Sequence, residues 1–190
     1  MVRTASQLLL LGLGAILLSW AGCAYADEGD LGGDREPILG RCEGCEAVFD
    51  GLPAALGSRG RIAPEDAVGE PMRIEGTVTD AAGRPAAGVI VYAYHTDAHG
   101  IYPRDETART AAARRHGRLR GWVETDEHGR YQFDTIRPAS YPDAVTPAHV
   151  HMHVLEVGRC TYVIDSIHFD DDPRLTQTAR EELIRGPGGS

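Results

Sequence analysis

Three histidines at alternate positions, His149, His151 and His153, are the sharpest chemical feature of the chain. Successive side chains of a strand point to opposite faces, so these three line one side, alternating with Val150, Met152 and Val154. Two imidazoles spaced this way reach one metal ion without distorting the backbone. A solvent-facing row on an edge strand would have the same spacing. Behind Pro147-Ala148, inside a strongly β chain, the row favours a metal site. Tyrosine, acids and the remaining histidines are the other available donors. Tyr141 stands in Pro138-Ala139-Ser140-Tyr141-Pro142, and Tyr102 in Gly100-Ile101-Tyr102-Pro103. Each precedes a proline, which holds it extended, and each falls at a strand end, where sites are usually built. Alone, either would also serve as an amphipathic surface tyrosine. A phenolate is a hard anionic donor that suits a trivalent ion, and a bound Fe(III) favours the deprotonated phenol.

Cys42-Glu43-Gly44-Cys45 is a C-x-x-C that could be a redox pair, half of a zinc site or a local staple. There is no second C-x-x-C and no surrounding βαβ pattern, which weakens the zinc and thioredoxin-like readings. A structural disulfide, either Cys42–Cys45 or one of these with Cys160, reads best and leaves one thiol over. All 19 basic residues are arginine. With no lysine in the chain, Schiff-base and lysine-nucleophile chemistry are excluded. The 28 acids give a net charge of −9, which argues against a nucleic-acid binder.

The chain of 190 residues suffices for one well-buried core. Arg3, an apolar run from Leu8 to Trp20 and Ala24-Tyr25-Ala26 predict a signal peptide over 1–26, with Asp27 as the mature start. A rival reading is lipidation at Cys23. Either predicts an exported chain, periplasmic or secreted and possible to anchor by lipid, in a compartment that allows disulfides. Residues 27–70 are rich in Gly, Pro and acids and predict an irregular arm. Residues 71–190 predict the domain proper. Strands are expected over Met72–Val78, Gly88–His95, Gly121–Thr125, Arg130–Thr135, Val150–Val157 and Cys160–Phe169. Gly88–His95, β-branched and aromatic, reads as buried on both faces. Asp126-Glu127-His128-Gly129 reads as a hairpin-like turn. Asp105–Arg120 is a long loop or short helix, and Thr176–Arg185 a short C-terminal helix. The spacing predicts an all-β fold, an antiparallel-rich β-sandwich.

The run Asp126-Glu127-His128-Gly129-Arg130-Tyr131-Gln132-Phe133-Asp134-Thr135-Ile136-Arg137-Pro138, then Tyr141-Pro142, then Pro147-Ala148-His149-Val150-His151, resembles the intradiol ring-cleavage dioxygenases, including protocatechuate and catechol dioxygenases. Val91-Tyr92-Ala93-Tyr94-His95 through Gly100-Ile101-Tyr102 resembles the same family upstream, so that the likeness covers about residues 70–173. The resemblance implies a β-sandwich with non-haem Fe(III) held by Tyr102, Tyr141, His149 and His151. It implies cleavage of a catechol-type aromatic diol by O2, between the hydroxyl-bearing carbons, to a muconate-type diacid. Tyr141 would leave the metal and take a substrate proton. A homo-oligomer is possible.

Three positions depart from the family pattern. Val145-Thr146 stands where the family usually has Trp-Arg, so Thr146 lacks the cation that holds the substrate. Ser166 occupies the place of a family Gln, and His153 is an addition on the ligand face. Arg137, Arg118 or Arg120 could restore the missing charge. Thr146, Ser166, His153 and Arg137 are the candidate pocket residues. The alternatives are an exported metal-binding sandwich with little or no dioxygenase activity, a zinc or copper site on His149, His151 and His153, and a metal-free transthyretin-like sandwich.

Overall fold

The computed structural model describes residues 42, 44–142, 145–158 and 160–185. The expected leader over 1–26, with Cys23, and the first part of the arm lie outside the described residues. Among the described residues, seven strands and two α-helices follow a 3-10 helix at Cys45–Phe49: β1 (Arg59–Arg61), β2 (Pro71–Thr77), β3 (Val89–Tyr94), α1 (Ala111–His116), β4 (Arg120–Glu124), β5 (Arg130–Ile136), β6 (His149–Glu156), β7 (Cys160–His168) and α2 (Gln177–Arg185).

The strands form two sheets, β1-β5-β2 and β4-β3-β6-β7, and only the β1–β5 pair is parallel. Met72, Ile74, Phe133 and Ile136 from the first sheet meet Val91, Ala93, Val123, Val150 and Met152 from the second in one buried cluster. That cluster is the sandwich core, and the chain is all-β as its strand pattern predicts. β3 is buried at every position, as its unbroken apolar run requires of a central strand. Its alternate residues Ile90, Tyr92 and Tyr94 face away from the other sheet. They form a second cluster with Ala47 and Val48 of the 3-10 helix and Ala112 and Ala113 of α1. The outer face of the four-stranded sheet is therefore roofed by the arm and by the excursion between β3 and β4.

Two expectations are corrected. The segment read as an irregular arm contains β1, whose Arg-Gly-Arg sequence carries no apolar signal. Its place depends on Gly60, where a Cβ would lie 2.8 Å from a Val123 methyl and 2.9 Å from the Trp122 carbonyl oxygen. The turn at Asp126–Gly129 closes locally, with Gly129 N–H donating to Asp126 O at 2.8 Å. Its flanking strands nevertheless belong to different sheets, so it is a crossover between layers and not a hairpin.

Candidate metal centre

β6 presents Val150 and Met152 to the core and turns His149, His151 and His153 toward the roofed face. Tyr92 lies opposite His153 and Tyr94 opposite His151 in the pairing of β3 with β6. Two loops bring the tyrosines to that face. Gly100, at φ 78°, has no Cβ to strike Ser140 O, which would lie 2.0 Å away, so the Tyr102 loop closes directly onto the Tyr141 loop. Thr96 Oγ1 donates to Ala139 O at 2.8 Å, and Ala139 N–H donates to Asp97 O at 3.0 Å, tying the two loops together. Asp172, 7% exposed, accepts from Ala148 N–H at 2.6 Å and from Ser140 Oγ at 3.3 Å. One carboxylate thus brackets the segments that enter His149 and Tyr141. Burial works against its charge, but hydrogen bonds from Arg174 N–H, Ala148 N–H and Ser140 outweigh it and hold the carboxyl below its ordinary range.

The four side chains form one cluster. Tyr102 Oη lies 2.6 Å from Tyr141 Oη, and Tyr141 Oη lies 3.2 Å from His149 Nε2 and 3.3 Å from His151 Nε2. The two Nε2 atoms are 3.0 Å apart. Donors about 2.0–2.1 Å from a common ion stand roughly 3 Å from one another, so these spacings fit a shared metal. Donor chemistry points the same way. His149 Nδ1 sits 2.8 Å from Pro147 O, which can only accept, so the proton is on Nδ1 and the Nε2 lone pair faces the cluster. Burial, then the neighbouring imidazoles of His149, His153 and His168, lower the His151 pKa to about 3 and keep that ring neutral. With the His151 proton on Nδ1, toward Ser166 Oγ, both Nε2 lone pairs become available to one cation. Burial, then the Tyr141 hydrogen bond, push the Tyr102 phenol above its ordinary pKa; a cation at the cluster has the opposite effect.

Other expected site residues are placed as follows. Ser166 Oγ is 3.3 Å from His151 Nδ1, so it backs a ring of the cluster. Thr146 is half-buried on the connection leading into β6. Arg137 pairs with Asp171 and lies over the Phe169 ring, 4.3 Å from its centroid. Arg120 is buried against Asp105 and the Asp50 carbonyl, while Arg118 is exposed. His153, 1% exposed, does not join the cluster. It packs against Tyr92, Tyr94 and His116 under the arm. The three-histidine site and a pocket role for His153 are therefore corrected, because the arm covers this end of the strand. Cys42 and Cys45 form a disulfide. The expected leftover thiol is also corrected: Cys160 is disulfide-bonded, and among the described residues no cysteine is free.

The sequence reading passed over three residues at the site. Tyr94 stacks on His151, with centroids 4.5 Å apart and planes at 15°. His168, opposite His149 across β6–β7, stacks on it at 5.7 Å. Asp172 is the bracket described above. Strand alternation could have flagged Tyr94; nothing local separates Asp172 from Asp170 and Asp171.

A two-layer sandwich carrying a Tyr2His2 cluster on one sheet face defines the class. The family profile described as Dioxygenase matches residues 57–187. The chain belongs to the intradiol ring-cleavage dioxygenase family. It is 31% identical over 178 residues to catechol 1,2-dioxygenase 1 of Acinetobacter lwoffii, covering 83% of this chain and 54% of that protein. It is 28% identical to the protocatechuate 3,4-dioxygenase beta chain of Burkholderia cepacia, covering 62% and 56%. The chain thus spans about half the length of these curated relatives. In fold it resembles the dioxygenase domain of a dioxygenase–carbohydrate-binding protein fusion from the cellulolytic bacterium Streptomyces sp. SirexAA-E. That match has a TM-score of 0.50 and 24% identity, over 65% of this chain and 71% of that one.

Proposed function

We propose that the protein is an Fe(III)-dependent intradiol dioxygenase that cleaves a catechol-type diol with O2 to a muconate-type diacid. The observation that carries this reading is the clustering of Tyr102, Tyr141, His149 and His151, with Tyr141 Oη in contact with the other phenol and with both Nε2 atoms. Bound there, Fe(III) supplies Lewis acidity toward a diol and draws electron density from it for attack by O2. Tyr141 Oη, in contact with the other phenol and both imidazoles, is placed to accept a proton from an incoming diol. Tyr102, His149 and His151 hold their positions. Pro147 O and Ser166 Oγ fix the two imidazole rings. Asp172 keeps the Tyr141 and His149 segments in register. The leader-like residues 1–26 support an exported enzyme acting on an external phenolic diol.

A second reading, a metal-binding sandwich with little turnover, draws on the arginines. Thr146 offers no cation, Arg120 and Arg137 are engaged elsewhere, and Arg118 is exposed. Oxygen uptake by the iron-loaded protein with catechol, followed with the ultraviolet absorbance of the muconate product, separates the two. Uptake matched by product supports the enzyme. Iron bound with no uptake for catechol or substituted catechols supports the binding module.

A further inference from the structure

The disulfide and the displaced histidine meet at a second place in the fold. The sulfurs of Cys42 and Cys45 and one ring nitrogen of His153 all lie within 4.8 Å of one another. His153 is 1% exposed, and its Nδ1 has no hydrogen-bond partner. A buried imidazole nitrogen without a partner is destabilising, so in a folded core it calls for an explanation. The C-x-x-C turn is seated firmly beside it. Gly44 adopts φ 84°, and a Cβ there would lie 2.6 Å from His116 Nε2, so only glycine lets the turn press onto that ring. Cys45 is fully buried at the start of the 3-10 helix.

We infer that the dithiol form of Cys42 and Cys45, together with His153, is a second metal site, selective for zinc and separate from the tyrosine–histidine centre. Two thiolates and an imidazole are soft-to-borderline donors. They suit Zn(II) in a tetrahedral geometry with water as the fourth ligand, whereas the phenolates of the other centre suit Fe(III). The C-x-x-C spacing is the ordinary one for two zinc thiolates. The ring of Tyr94 touches both places, stacked on His151 at 4.5 Å and edge-on to His153 at 5.8 Å. The disulfide governs access. A dithiol reductant gives two electrons and two protons to the Cys42–Cys45 bond, yielding two thiols and the reductant's own disulfide. Zinc then replaces the two thiol protons, which pass to solvent.

The test uses the full chain and Co(II) as a visible stand-in for zinc. After treatment with a dithiol reductant and its anaerobic removal, Co(II) should bind with the thiolate-to-metal charge-transfer absorption of a tetrahedral site. Zn(II) should displace it. The oxidised protein should show no such band. Cys42→Ser, at the half-buried cysteine, should weaken binding by more than about 100-fold, since even losing a ligand's hydrogen-bonding partner costs 10–100-fold. His153→Gln should weaken it while far-ultraviolet circular dichroism stays unchanged. Tyr102→Phe should leave the band intact, which keeps this result independent of the iron centre. A reduced protein with no thiolate band, or a band that survives Cys42→Ser, overturns the inference.

Discussion

Tyr141 Oη touches the other phenol and both imidazoles, so changes at single donors test the centre directly. Tyr102→Phe removes one phenolate and keeps the ring. Iron should still bind, more weakly, and a dioxygenase assay on the loaded variant should fall to a small fraction of wild type. Full activity in that variant would remove Tyr102 from the centre. Thr146 is the most informative departure from the family pattern. Electrostatic groups of this kind are worth roughly 10²–10³ in rate, so Thr146→Arg should raise kcat for simple catechols toward that factor. A fast wild type, or a variant that keeps its iron and loses turnover, would show that another group already supplies the charge. Strand alternation and the Tyr-Pro turns marked His149, His151, Tyr102 and Tyr141 as candidate donors, and the family resemblance, not their spacing, grouped these four into one set. His153 was misplaced because alternation shows which face a side chain takes but not what covers it.

The loops that carry the tyrosines meet because Gly100 has no Cβ. Gly100→Ala places a methyl 2.0 Å from Ser140 O at a φ of 78°, which any L side chain resists. The two loops should part, lowering stability by about 1–3 kcal/mol and weakening iron binding at the same time. Thermal unfolding and an iron titration on one preparation check both; a stable variant with normal iron affinity would deny the loops this role. Asp172→Asn keeps the shape of the bracket but removes the charge that three hydrogen bonds support. It should cost about 1–3 kcal/mol by denaturant unfolding. An unchanged midpoint would show that the charge is not needed. β3 and β6 were readable from their apolar patterns, whereas the Ala/Arg-rich stretch holding α1 fits a long loop as well as a short helix. β1 was not readable, because a three-residue strand held by backbone pairing and one glycine contact leaves no periodic trace. The divergence of β4 and β5 into separate sheets was equally hidden. The Asp126–Gly129 turn closes like a hairpin, and only the pairing of β2 with β5 shows otherwise.

Across the whole molecule, buried histidines set the response to acid. His95 is fully buried, donating through Nδ1 to Thr96 O and accepting through Nε2 from Thr135 Oγ1, both at 2.7 Å. Burial lowers its pKa from 6.5 to about 4. On acidification the unfolded chain takes the proton first. Stability is therefore full above pH about 6.5 and falls as pH drops toward 4, by up to about 3 kcal/mol for this group. His116 and His153, also lowered by burial, act in the same direction. Below that range Asp50 adds a second loss. Burial opposes its charge, yet hydrogen bonds from Thr110 and Arg109 hold its pKa at about 2, so its contribution goes as pH falls from about 4 toward 2. Urea midpoints measured from pH 8 to 3 should decline in that order. A flat profile between pH 7 and 4 would contradict the burial of His95 as a neutral ring. The all-β sandwich was legible because its strands recur between Gly and Pro turns. The roof over the ligand face was not, because long-range packing of the arm on α1 and β6 has no local sequence pattern. The central claim is that two phenolates and two imidazoles of this chain hold one Fe(III). Its most direct test is a titration of the purified full chain with Fe(III), followed by visible absorption. The account predicts a red-brown tyrosinate-to-iron charge-transfer band that saturates at one iron per chain. A chain that binds iron without that band, or binds none, would contradict it.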